Sequence, residues 1–347
     1  MIYFAILWAN ATSLPMFVRI FIGDALRFGR LYAIFGYDVY LGEAVLSVAA
    51  LMLFGYMCVR RPRATDAVMI ALACLFAAGI AACFVGAFAA GGRAMKPAFV
   101  PDGAALSQVV RIAVISPWAF IGFESISHAT EEFDFDRDRI RRVMLIAVAS
   151  TLVLYVLVTL LSVTAYPPRY ASWPDYIRDL NNLTGLEALP AFYAANRYLG
   201  GAGVALLTLS LLALVITSLI GNTSALSRLF YAMAKDRLLP ESFSRLNDRG
   251  APARAVLAVT AASCLVPLLG GTAIGWIVDV TTIGATLIYG SVSAAAARLG
   301  RNMKDRREMW IGRAGLGIMI AFCAYILLPN LVARGTIARE TCFLFIL

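Results

Sequence analysis

Blocks of about 20 apolar residues, the length a helix needs to cross a bilayer core, alternate along this chain with short clusters rich in arginine. The blocks cover residues 2–23, 39–59, 67–90, 109–130, 143–165, 203–227, 255–273, 276–297 and 311–333, and they predict nine complete transmembrane helices. None alternates apolar and polar positions strictly, so they are helices and not barrel strands, which cross with about 10 residues. A tenth block starts at Thr341 and stops at Leu347, which reads as a chain cut inside a helix. Met1 stands directly on the first block, with no basic leader or cleavage site, so a signal peptide fits poorly and a preceding segment is expected.

Composition agrees with that pattern. Of 347 residues, 61% are hydrophobic and 15% charged, and the mean hydropathy is +0.79, far too apolar for one or two soluble domains. The fold class is therefore an all-α integral membrane protein, with residues 1–347 forming a single transmembrane domain. The formal charge of +9 does not point to nucleic acid, because Lys and Arg cluster between apolar blocks, as membrane topology requires. With the start of the first span placed inside, the inner connections hold 19 Lys or Arg and the outer ones 10, with Arg19 inside a span. That excess assigns a cytoplasmic start and a multi-pass place in the cytoplasmic membrane. The six cysteines lack CxxC spacing, and His128 is the sole histidine, so packing explains them better than a metal or disulfide framework. No cofactor is implied.

Polar residues inside the spans carry the remaining information. Trp8, Asn10, Thr12 and Ser13 suit a first helix buried among others. Arg19 is close enough in topology to pair with Asp24 or Glu43. The longest outer connection, 166–200, contains four prolines and a short amphipathic piece, and reads either as a lid over an outward-facing cavity or as a solvated spacer. The inner connection 228–254 is strongly basic, as headgroup anchoring requires.

One stretch stands apart, Pro117 to Phe133 (PWAFIGFESISHATEEF). It begins as a membrane helix, passes through Pro117 and Gly122, and sets Glu124 at bilayer depth, where a charge costs about 2.5 to 3.5 kcal/mol on translocon scales. Such a residue faces protein or water. Pro117 removes a helical N–H and Gly122 permits an unusual backbone, so the helix is expected to break here, either as a packed kink or as an open site. If α-helix resumes after the break, Glu124 shares a stripe with His128 and Glu131, descending to the inner membrane face. Glu124 is then a candidate protonatable coupling or substrate-sensing group. His128 either helps proton exchange or pairs with Glu132, and Asp279 is a second intramembrane acid.

Two motifs in order, WAFIGFESISHATEEF at Trp118–Phe133 and SRLFYAMAKDRLLPESFSRLNDRGAPARAV at Ser227–Val256, resemble the amino acid, polyamine and organocation superfamily of permeases. The resemblance implies a five-plus-five inverted-repeat fold whose repeats each open with a broken helix. On that alignment the nine spans correspond to the third to eleventh helices, and the first two and the last are absent. It further implies secondary transport of an amino acid or related amine by alternating access, proton-coupled or by exchange, and no enzymatic chemistry. A small amino acid or amine, the lipid bilayer and a second copy of the chain are the partners it suggests.

The resemblance also marks positions. Trp118 matches a residue that packs over substrate in arginine/agmatine antiporters of this superfamily, and Phe120, Ile121, Gly122, Glu124 and Ser125 match the residues around their break. Of these, Trp118, Ile121, Gly122, Glu124 and Ser125 form the expected substrate site with Phe123, Asn222 and Thr282, and Glu124, His128 and Asp279 form the expected proton-coupling set. Thr217, Thr223, Thr281 and Tyr289 are weaker polar candidates, as small hydroxyls serve packing in membrane helices. Arg237 stands where relatives usually have Gly, and Asp134 to Asp138 replace their usual end of this helix. A channel or non-transporting sensor on the same fold, or an inactive remnant, are the alternatives. A membrane enzyme finds no HExxH, paired carboxylates or Ser/His/Asp set.

Overall fold

The structure, a computed structural model, describes residues 2–34, 37–92, 96–101, 104–132, 137–269 and 272–332. Helix α1 (Ile2–Ile22) leads through a turn into a hairpin of β1 (Arg30–Ile34) and β2 (Tyr37–Tyr40), followed by α2 (Leu41–Arg60) and α3 (Pro62–Ala89). Then come α4 (Ala105–Ala119), a 3-10 segment Phe123–Glu132, α5 (Arg137–Val163), the short α6 (Trp173–Arg178) and α7 (Pro190–Lys235). Helices α8 (Ala253–Ser263), α9 (Thr272–Asn302) and α10 (Arg306–Val332) complete the described chain, and the tenth block at Thr341 lies outside it.

Six of these helices, among the described residues, are long and apolar enough to cross a membrane. Seven of the nine predicted blocks run as α-helix over most of their length, and two do not. The block at 109–130 divides into α4, which runs through Pro117 to Ala119, a turn at Gly122 and the 3-10 segment. The block at 255–273 is an 11-residue helix followed by a 3-10 turn at Val266–Leu269. The block at 276–297 lies inside α9, whose side chains from Thr272 to Val280 lie outside the description.

The longest helix, α7, is the hub. Its N-terminal piece, the amphipathic stretch noted above, runs to Gly200, where φ 61° and ψ −153° bend the chain before the membrane part begins. On one side Phe192 and Leu207 of α7 pack with Ile80 of α3 and Leu161 of α5. On the other, Leu219 packs with Leu7 and Leu14 of α1, Leu51 of α2 and Val259 of α8. Small residues set how closely these helices approach: a Cβ on Gly79 of α3 would sit 1.8 Å from Ser210 Oγ of α7. The outer face of α5 remains apolar and exposed, with Leu145 at 61% and Ile146 at 64%, as suits a lipid-facing surface.

The connections are tied down. Arg19 pairs with Glu43, its Nε donating to Oε1 at 2.6 Å. Tyr32 in the hairpin donates its hydroxyl to the Leu268 carbonyl, joining the hairpin to the turn after α8. In the 166–200 connection Tyr176 is wholly buried and donates to the Glu187 carbonyl at 2.6 Å. Trp173 Nε1 reaches the Pro97 carbonyl at 2.7 Å, across to the α3–α4 connection.

Candidate functional site at the break after α4

Helix α4 ends where Phe120 N–H returns to the Ser116 carbonyl and Ile121 N–H to the Trp118 carbonyl, both at 3.2 Å. Gly122 then takes φ +118°, a conformation that residues with a Cβ rarely adopt, and the chain continues in 3-10 geometry. The turn leaves backbone groups without helical partners, and the chain itself supplies them. Tyr155 of α5 donates its hydroxyl to the Ala119 carbonyl at 2.6 Å, with Phe120 edge-on to its ring at 5.7 Å. Gly122 N–H donates to Glu124 Oε2 at 3.0 Å.

Glu124 is the centre of the arrangement. Tyr3, at the start of α1, donates its hydroxyl to Oε1 at 2.9 Å, and Tyr289 of α9 donates to Oε2 at 3.2 Å. Phe123 lies against the Tyr289 ring, centroids 6.0 Å apart. The half-buried carboxylate thus receives an O–H from each of two helices and the N–H freed by the break. Hydrogen bonds to a charged acceptor are worth about 1.5 to 3 kcal/mol each, so together they replace the water that Glu124 lacks. Glu124 therefore latches α1 to α9 across the broken helix.

The expected site residues divide into two groups. Trp118, Ile121, Gly122, Phe123, Glu124 and Ser125 all flank the break, Ser125 N–H closing back on the Gly122 carbonyl at 3.1 Å. Asn222 belongs to a different cluster, where it and Asn10 of α1 both donate through Nδ2 to Ser218 Oγ, at 3.0 and 2.9 Å. Thr282 is buried on α9, two turns before Tyr289, and its carbonyl receives the Thr286 hydroxyl at 2.5 Å. The side chains of His128 and Asp279 lie outside the described residues.

The α-helical stripe of Glu124, His128 and Glu131 is corrected by the backbone. The segment Phe123–Glu132 is a 3-10 helix, with three residues per turn, so the i, i+4, i+7 register does not apply. The register that matters is i+3, where Ser127 donates to the Glu124 carbonyl at 2.6 Å. Sequence reasoning missed the contacts of Tyr3 and Tyr155, whose only signal is a hydroxyl on an apolar helix, and Tyr289, a weaker candidate in the sequence, meets Glu124. Among the described residues no cluster of His, Cys, Asp or Glu could hold a metal ion.

A broken helix with an intramembrane acid, in a bundle of spans, is the setting in which the comparison with known families becomes decisive. The family model described as amino acid permease matches residues 2–346, almost the entire chain. The chain belongs to the amino acid permease family. It is a multi-pass membrane protein of a transport family, and amino acids are the substrates that membership indicates. Among curated proteins, none matches the chain.

Proposed function

We propose that this permease carries an amino acid or related amine by alternating access, with Glu124 as the group that couples substrate and proton to the movement of α1 against α9. The observation that carries this reading is the triple engagement of Glu124 by Tyr3, Tyr289 and Gly122 N–H. A carboxylate already occupies the N–H that the break frees, in the place where a substrate carboxylate would bind. A substrate that takes Gly122 N–H displaces Glu124 Oε2, and with it the contact to Tyr289.

Protonation acts on the same contacts. An ionised carboxylate only accepts, whereas a neutral one carries an O–H, so one tyrosine hydroxyl must turn from donor to acceptor. Neutral pairs are also about half as strong as charge-assisted ones. A proton on Glu124 therefore loosens the latch. Trp118 and Phe123 on either side of the break supply aromatic faces for the substrate side chain.

Reconstitution into proteoliposomes tests the transport reading. Radiolabelled amino acid uptake is expected to saturate and to show counterflow, and amides that lack the carboxylate should compete poorly. Flux that rises linearly with concentration and shows no counterflow would mean a channel, and binding without flux a sensor.

A further inference from the structure

A cavity of about 820 Å³ opens where α2 meets α3 and where α7 runs into the connection to α8. Four cations line it: Arg63 in the first turn of α3, Arg228 and Lys235 at the end of α7, and Arg249 in the connection. They face two carboxylates, Asp66 and Asp236, so the wall carries a net positive charge. Ser224 and Tyr231 add hydroxyls to the lining, whereas those of Thr65 and Ser227 donate to the Arg61 and Thr223 carbonyls. The N-termini of α3 at Pro62 and of α8 at Ala253 open beside it, each contributing the positive end of its helix dipole. Lys235 Nζ stands 4.9 Å over the Tyr231 ring, which fixes the ammonium against the wall.

We propose that this cavity is a binding site for a phosphate-bearing anion at the level of the inner headgroups. Guanidinium groups converging with hydroxyls are the recognition chemistry of phosphate, through paired N–H bonds to its oxygens. The position fits as well. Basic pockets between spans on the cytoplasmic side accept acidic headgroups. The shared chemistry is the phosphate, carried either by an acidic phospholipid or by a soluble phosphate from the cytoplasm. Its place links it to the break, because Ser127 lines the cavity and donates to the Glu124 carbonyl at 2.6 Å. An anion seated there bears on the 3-10 segment that presents Glu124.

Thermal melting of the full chain in neutral detergent, followed by helical circular dichroism, tests the site. Four additions are compared: phosphatidylglycerol, phosphatidylcholine, inorganic phosphate, and chloride at matched ionic strength. Phosphatidylglycerol, inorganic phosphate or both should raise the midpoint by ~2 °C or more, and phosphatidylcholine and chloride should not. A shift with phosphatidylglycerol alone identifies the lipid as the source, and a shift with inorganic phosphate identifies the soluble anion. Arg228→Gln with Arg249→Gln should abolish the shift, and Asp66→Asn with Asp236→Asn should enlarge it. No shift with either phosphate source, or a full shift in the glutamine variant, overturns the proposal. If the glutamine variant does not fold, an unchanged shift in the asparagine variant overturns it.

Discussion

Glu124 shows how a single acidic side chain is made tolerable inside a membrane protein. The cost of its charge is offset by three donors from three different segments, and each of them can be removed separately. Tyr3→Phe and Tyr289→Phe should each lower stability by about 1 to 2 kcal/mol, the cost of one hydrogen bond to a charged group less the apolar gain. Their effects should be non-additive in a double-mutant cycle read by thermal or denaturant melting, because both act through one carboxylate. Gly122→Ala adds a methyl group that meets no atom within 4 Å, so its cost of about 1 to 3 kcal/mol would come from backbone strain at φ +118° alone. The break at Gly122 and the polar setting of Glu124 were legible in the sequence because a proline, a glycine and an acid interrupt an apolar run. Tyr3 and Tyr155 were not, since one hydroxyl on a membrane helix carries no periodic signal and acquires its meaning only from contact with a distant segment.

At the scale of elements, apolar blocks give the helices and say little about what lies between them. The hairpin of β1 and β2 went unread because its strands have five and four residues, too short for alternation to stand out. The resumption of the chain as 3-10 helix was also hidden, for sequence favours neither helical type once a glycine has broken the turn. Close packing of α3 on α7 can be tested at Gly79: Gly79→Leu should prevent stable folding, read as loss of a monodisperse peak in detergent, since Ser210 occupies the space. The outer connection gives a pH prediction. The Tyr170 hydroxyl, 2.5 Å from Asp179, and then Asn182 hold the Asp179 carboxyl below the usual range. A depressed value in the folded state stabilises the connection above the ordinary Asp value of about 3.9, and that contribution is lost as pH falls through the folded value. Trp173 fluorescence, taken as the difference from Trp173→Phe, should hold steady from neutral pH to below the ordinary Asp value, and Tyr170→Phe should move the transition upward.

The whole molecule is a bundle organised by α7 and interrupted at the end of α4. The packed side, where α3, α5 and α7 share a buried cluster, holds the frame. Glu124 bridges α1 and α9 through the hydroxyls of Tyr3 and Tyr289, beside the direct packing of Ile2 on Gly284. Charge fixes the orientation we propose for this frame: single cysteines placed at Arg249 should react with a membrane-impermeant thiol reagent only from the cytoplasmic side, and at Arg169 only from the other. The central claim is that Glu124 converts protonation into movement of the latch. Initial uptake of a transported amino acid in proteoliposomes, measured across pH for the parent chain and for Glu124→Gln, tests it most directly. The parent should show a pH-dependent rate and Glu124→Gln a flat profile with residual exchange, and an unaltered pH profile in the variant would contradict the account.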